Sequence, residues 1–217
     1  MSQPPDLSAE TAKTLVAAAT VVFAEQGYQH ARVRDIVRRA GANVAAISYH
    51  FGGKEGLYLE VLRQVARGIV ERYPLLHSGH KGSPEQQLRE IIESLLGRFF
   101  SQNENSIAPR LLLRELTHPG IGLERMLQDF TGPQFVVVSD VVARLLGPGA
   151  APDEVRCASL SVFGQCFVYL VARPMISRLA PQTYEADALA PLAAHLVAFT
   201  LAGLRDLRMR IEERSHA

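Results

Sequence analysis

The chain has 217 residues, of which 47% are hydrophobic and 21% charged, with a formal net charge of +1. That length suits one large domain or two small ones, and the composition excludes a disordered, collagen-like or low-complexity chain. Two cysteines exclude a disulfide scaffold, and a net charge near zero excludes blanket affinity for nucleic acid. The charge is uneven, however. Residues 1–54 carry six Lys/Arg against four Asp/Glu, and four of those cations fall between Arg32 and Arg39. This is a local cluster and not a basic domain.

Along the chain the apolar residues recur at three and four, not at two, which predicts an all-α fold. Leu15, Ala18, Ala19, Val22 and Phe23 form one helical face between an N-cap at Ser8 and a terminating Gly27. Val33, Ile36, Val37 and Ala40 repeat the spacing in a short helix that stops at Gly41, and Asn43 caps a third helix over Val44 to His50. A longer helix is expected from Lys54 to Tyr73, where Pro74 ends it. Ser83-Pro84-Glu85-Gln86 reads as N-cap, N1 proline and capping-box glutamine, opening a helix whose buried face is Leu88, Ile91, Ile92, Leu95, Leu96 and Phe99. Further helices are predicted over Ile107–Thr117, Ile121–Leu146 with a kink at Gly132-Pro133, Pro152–Ala172, and Ala188–Ile211, making eight or nine in all.

The segment Val33 to His50 places two short helices about a Gly41-Ala42-Asn43 turn, braced by the helix before them. That is the layout of a helix-turn-helix, whose second helix enters the major groove of DNA. Val44, Ala45, Ala46 and Ser48 are small enough to approach base edges, and Tyr49, His50 and Lys54 stand around them as phosphate donors. Arg38 and Arg39 point away from Arg34 and are read as a solvated face.

Gly27-Tyr28, Val33-Arg34-Asp35-Ile36, Ala40-Gly41 and the run Ile47-Ser48-Tyr49-His50-Phe51-Gly52-Gly53-Lys54-Glu55-Gly56-Leu57-Tyr58 resemble, in order and spacing, the N-terminal domain of TetR-family regulators. The resemblance covers about Leu15 to Leu62. Asn43-Val44-Ala45-Ala46-Ile47-Ser48-Tyr49 is similar to the CecR-like subgroup, as, more weakly, is Arg114-Glu115-Leu116 followed by Pro119. The resemblance implies that Arg34 reaches a base, that Val44, Ala45, Ala46 and Ser48 line the groove, and that Tyr49, His50 and Lys54 hold phosphates. The family has Thr or Ser just before Val33, where this chain has Ala31-Arg32. Arg32 is then expected to supply a phosphate contact while leaving its helix with a cap weaker by up to ~1 kcal/mol.

The expected division is a DNA-binding domain over residues 1–53 and a helical ligand-binding and dimerisation domain over residues 54–217. Phe99, Met126, Phe130 and Phe167 spread large apolar groups through the second domain, and Arg110, Arg114, Glu115 and His118, on an otherwise Leu-rich helix, are the polar groups expected at a cavity among them. Cys157, Ser161, Gly164 and Val168 form a small-residue stripe, and Ala194, Val197 and Leu201 belong to an apolar stripe on the final helix. Two such helices from each of two chains would make a four-helix dimer interface, as in the family. Cys157 and Cys166, nine positions apart, point to opposite faces and share neither a disulfide nor a metal.

Enzyme signatures fail. The stretch Ser48 to Lys54 lacks the first glycine of a phosphate loop, and Glu55 stands where a magnesium-binding hydroxyl is needed. His77 and His80 have a spacing metals use but no third ligand, so neither a metal nor a cofactor is expected. The uncharged stretches Cys157–Ala172 and Ala188–Leu204, at 16 and 17 residues, fall short of the ~20 apolar residues of a membrane span. Met1 to Asp6 has neither the basic run nor the apolar core of a signal peptide, and a cytoplasmic location is expected. The expected function is a homodimeric regulator, most simply a repressor, that binds a palindromic operator in double-stranded DNA and is released by a small apolar or amphipathic effector. The alternative is a helical enzyme or carrier that keeps a helix-turn-helix for packing only.

Overall fold

The computed structural model describes residues 7–77, 82–100, 107–185 and 187–216. Helices follow one another through these residues and no strand occurs among them, so the fold is all-α. The chain gathers into two compact units, Met1–Gly68 with Glu104–Phe130, and Ile69–Asn103 with Thr131–Ala217.

The first unit holds α1 (Leu7–His30), α2 (Val33–Ala40), α3 (Val44–Phe51), the first part of α4 (Lys54–Arg72), α6 (Ile107–Thr117) and α7 (Leu123–Met126). It is therefore larger than the 1–53 segment expected to read DNA. Leu15, Ala19 and Phe23 of α1, Ile36 of α2, Ile47 of α3, and Leu57, Tyr58 and Val61 of α4 are all buried, as the three- and four-residue spacing predicts. α1 does not end at Gly27. That residue breaks the helix with φ +73° and ψ 169°, yet its carbonyl accepts from Ala31 N–H at 3.1 Å and one more turn follows. Only glycine suits the position, because φ is left-handed and a Cβ there would lie 2.6 Å from Nε of Arg114 on α6.

Local capping follows the sequence closely. Asn43 Oδ1 accepts from Ala45 N–H at 3.0 Å and so starts α3, while Gly41 closes α2 by donating to the Arg38 and Val37 carbonyls. Arg32 occupies the N-cap of α2 without a side-chain bond, as expected from the missing hydroxyl.

The second unit is built on α5 (Pro84–Phe100), which packs against α8 (Gly132–Leu146), α9 (Pro152–Val171) and α11 (Leu189–His216). Its core joins Leu88, Ile91, Ile92, Leu95 and Leu96 of α5 to Val138, Val141, Val142 and Leu146 of α8, Val162 and Cys166 of α9, and Ala193, Leu196, Val197 and Leu204 of α11. The capping box is present: Ser83 Oγ accepts from Gln86 N–H at 3.3 Å, and Gln86 Oε1 accepts from Ser83 N–H at 2.9 Å. The cysteines do face opposite ways, Cys157 exposed and Cys166 buried, and burial pushes the Cys166 thiol up to about 12.

Several expectations are corrected. The predicted single helix over 121–146 is instead α7, a π-helical stretch Leu127–Thr131, and α8. Pro133 has no N–H to continue the ladder, and the register slips just before it. α10 (Arg173–Leu179) and the short 3-10 turn Pro181–Tyr184 fall where no helix was expected, because Pro174 sits in a first helical turn and does not act there as a breaker. α11 runs on to His216, its end tied back by Arg214 to Glu154 at 2.8 Å; that guanidinium holds the Glu154 carboxyl down to about 2. By length and composition alone α9 is long and apolar enough to cross a bilayer, a test that a core helix passes as well. It packs on α5 and α8 through Ala158, Val162 and Cys166. His77 faces Glu90 at 3.7 Å, whereas His80 and Met1 to Asp6 lie outside the described residues.

Gly122, in the turn after α6, lies so close to α4 that a Cβ would collide with Leu62 Cδ1 and come within 3.1 Å of the Glu115 carboxyl carbon. Gly122→Ala is expected to destabilise the chain by ~1 to 3 kcal/mol through overpacking. Chemical denaturation would show a lower midpoint, and an unchanged midpoint would mean that the turn does not hold α4 at this distance.

Candidate nucleic-acid interface

α3 is a short helix with one anchor and one free face. Ile47 is 1% exposed and fixes the helix in its unit, while Asn43, Val44, Ala45, Ser48 and Tyr49 are all exposed and Ala46 is half-buried. Val44 at 52% and Tyr49 at 81% are apolar groups held in water, which folding alone does not reward. At that exposure Tyr49 does not pack into the core of its unit. Its ring sits 4.9 Å from that of His50, which is half-buried and continues to Phe51 at 6.0 Å.

Around this face stand the cations. Arg32 and Arg34 are exposed, and neither is in an ion pair among the described residues; Arg38 is tied to Asp35 at 2.9 Å. The half-buried Lys54 opens α4, with Nζ 4.6 Å from the Tyr28 ring centroid and donating to the Gln29 carbonyl at 3.4 Å. That places its ammonium at the joint between α1 and α2 and not free in solvent. The geometry suits a duplex: a helix of small side chains for the groove, flanked by hydroxyl and cationic donors for the phosphates.

A buried polar contact joins α4 to α6 in the same unit. Tyr58 of α4 donates its hydroxyl to Glu115 Oε1 of α6 at 2.5 Å, and Gly120 N–H donates to Glu115 Oε2 at 3.2 Å. Burial first, and then the hydrogen bond and charge of Glu115, push the Tyr58 phenol far above its ordinary range. Phe23 and Tyr28 of α1 pack on the Tyr58 ring at 4.8 and 5.0 Å.

The residues expected at an effector cavity are not gathered in one unit. Arg110, Arg114 and His118 are exposed, Met126 is 3% exposed and Phe130 is half-buried, all in the first unit. Arg114 covers Gly27, and His118 Nδ1 lies 3.0 Å from Thr117 Oγ1. Phe167 is half-buried in the second unit, and Phe99 lies on α5 of that unit with a side chain outside what the structure describes. One group passed over in the sequence is Arg98, 4% exposed; it extends the Leu88, Ile91, Leu95 spacing, and a charge on an apolar stripe is the signal that marks it.

Of the expected dimer residues, Cys157, Ser161, Gly164 and Val168 all lie on one exposed face of α9, and Ala194 is exposed on α11. Val197, at 2%, lies inside the core, and Leu201 is half-buried against it, so neither belongs to a free face. The outward side of α11 instead carries Phe199, 65% exposed, and α9 adds Leu160 at 52%.

Comparison with known proteins agrees with this layout. Residues 15–61 match the model for bacterial regulatory proteins of the tetR family, and residues 84–204 match the C-terminal domain of the HTH-type transcriptional dual regulator CecR. The chain is 44% identical to the dual regulator CecR of Shigella flexneri, over 76% of this chain and 77% of that one. It is 24% identical to the transcriptional repressor NicS of Pseudomonas putida over 90% and 92%. Its fold is shared with the regulator FadR from Bacillus subtilis, solved in complex with stearoyl-CoA, with a TM-score of 0.63, 18% identity, and coverage of 88% of this chain and 98% of that one. With a helix-turn-helix at one end and a CecR-type helical domain over more than half its length, the chain belongs to the TetR family of DNA-binding transcriptional regulators, in the CecR-like branch.

Proposed function

We propose that the chain works as a homodimer on a palindromic operator, as a repressor released by a small apolar or amphipathic effector that binds among the helices of residues 54–217. The observation that carries the DNA-reading part is the exposed α3 face, where Tyr49 stands in water beside a row of small side chains. In this reading Arg34 reads a base, Val44, Ala45, Ala46 and Ser48 line the groove, and Arg32, Tyr49, His50 and Lys54 meet phosphates. The uncovered apolar residues of α9 and α11, Leu160, Val168 and Phe199 among them, support pairing of two copies. Repression draws support from the repressor NicS, and the binding of a small ligand from FadR, solved in complex with stearoyl-CoA.

Two recognition helices of a dimer must meet the major groove roughly 34 to 36 Å apart. An effector shifts that spacing only by its differential affinity for the two states, so a ~100-fold loss of operator affinity corresponds to ~2.7 kcal/mol of coupling. Footprinting on the DNA flanking the chain's own gene tests the reading directly, and a protein that protects no segment there in a salt-dependent way would contradict it.

Tyr49→Ala and Lys54→Ala are expected to weaken specific and nonspecific DNA alike and to flatten the salt dependence, because phosphate contacts carry little sequence information. Arg34→Ala should instead relax preference at one symmetric pair of positions, by ~1 to 3 kcal/mol per contact. Binding-site selection on the two classes of variant separates them, and an unchanged preference in Arg34→Ala would remove that residue from the base readers. For the dimer, Gly164→Leu is informative because an added Cβ meets nothing within 4 Å in its own chain. Sedimentation should show a weaker dimer without loss of helical content; an equally strong dimer means another face is used. Finally, operator DNA must weaken effector binding by the same factor by which effector weakens operator binding, which calorimetry with and without DNA measures.

A further inference from the structure

The inward side of α5 is apolar from Leu88 through Leu96, and then Arg98 takes the next inward position. Its Nε and Nη2 donate to the Tyr73 carbonyl at 3.1 and 2.7 Å, and its Nη1 donates to Gln134 Oε1 of α8. Ser94 Oγ donates to the same Tyr73 carbonyl at 2.9 Å. Three donors thus converge on one carbonyl oxygen, which has lone pairs for two. Every acceptor in this cluster is neutral, and among the described residues no carboxylate pairs with the guanidinium. Burial draws Arg98 down to about 10, which leaves it cationic at neutral pH.

A charge taken out of water without a counterion is among the least favourable things a folded chain can hold, and a methionine or leucine of similar volume would serve the core better. Among the described residues the cluster is rich in donors, short of acceptors and carries one positive charge without a counterion. Those are the requirements that a single carboxylate meets, since two anionic oxygens accept from a guanidinium fork and from a neighbouring hydroxyl together.

We propose that Arg98 and Ser94 form the headgroup end of the effector site, and that the effector is an amphipathic monocarboxylate. The proposal rests on the ligand-responsive reading above and names the chemistry of its ligand. A dianion would replace one uncompensated charge by another, and an uncharged ligand would leave the guanidinium as it is. When the carboxylate binds, Arg98 turns from the Tyr73 carbonyl at the end of α4 to the stronger, charged acceptor.

The test uses the full chain and two acid–alcohol pairs of matched bodies: octanoate with octan-1-ol, and 4-phenylbutyrate with 4-phenylbutan-1-ol. Calorimetry should show at least one acid binding 10-fold or more tightly than its alcohol. Arg98→Gln should abolish that preference without weakening the alcohol, and Arg98→Lys should keep part of it. If neither acid exceeds its alcohol in the unaltered protein, including the case in which nothing binds, the proposal is overturned; this comparison needs no variant, so misfolding of Arg98→Gln does not spoil it. Operator affinity is measured alongside. Release of operator by alcohols as readily as by acids overturns the Arg98 assignment and keeps the ligand-release reading. An acid preference that Arg98→Gln removes, with operator affinity unmoved throughout, keeps the assignment and overturns ligand release.

Discussion

The first unit depends on a carboxylate held out of water. Glu115, 4% exposed, accepts from the Tyr58 hydroxyl and from Gly120 N–H, and so ties α4 and the turn after α6 to a single side chain. Leaving either donor buried without this acceptor would cost about 1 to 3 kcal/mol. The bond is also positional. Tyr58 carries Phe23 and Tyr28 on its ring, α6 lies against α1, and Arg114, the neighbour of Glu115, covers Gly27 where α1 breaks. α1, α4 and α6 therefore have one mutual arrangement that satisfies the buried polar atoms, and α2 and α3 are set on that frame.

α3 itself has little holding it. One fully buried isoleucine, one Asn cap and the glycines at its ends fix a helix of eight residues, too short to be stable alone. Its small side chains give it little core area, and α2 begins without a side-chain cap. A helix of this kind takes its position from what braces it. The braces of α3 are α1 and α2, and Lys54, the first residue of α4, reaches the end of α1 through Tyr28 and Gln29.

The second unit shows the opposite bias. α5 contributes five apolar side chains to a core it shares with α8, α9 and α11, an arrangement rigid enough to hold Arg98 in a setting that does not favour its charge. Chemistry and stability pull in different directions at that one position. The same holds on the outside, where Leu160, Val168 and Phe199 remain in contact with water in the single chain.

The sequence by itself determined what depends on neighbours along the chain. The three- and four-residue spacing gave the helices, Asn43 and Ser83-Gln86 gave their starts, Ala31-Arg32 announced an uncapped α2, and the run from Ile47 to Tyr58 identified the helix-turn-helix. These are local hydrogen-bond and steric preferences, complete within a turn or two. Tertiary structure decided which face of each helix is inside. α9 and α11 are apolar on more than one side, so nothing in their spacing told Val197, which entered the core, from Phe199, which did not. The sequence predicts Glu115 at a cavity and does not single out Arg98; what each one meets depends on distant parts of the chain, Tyr58 for the first and Tyr73 and Gln134 for the second. The grouping of α6 with α1, rather than with α5 before it or α8 beyond it, was likewise out of reach, since it rests on packing partners about eighty residues or more apart that no local pattern encodes.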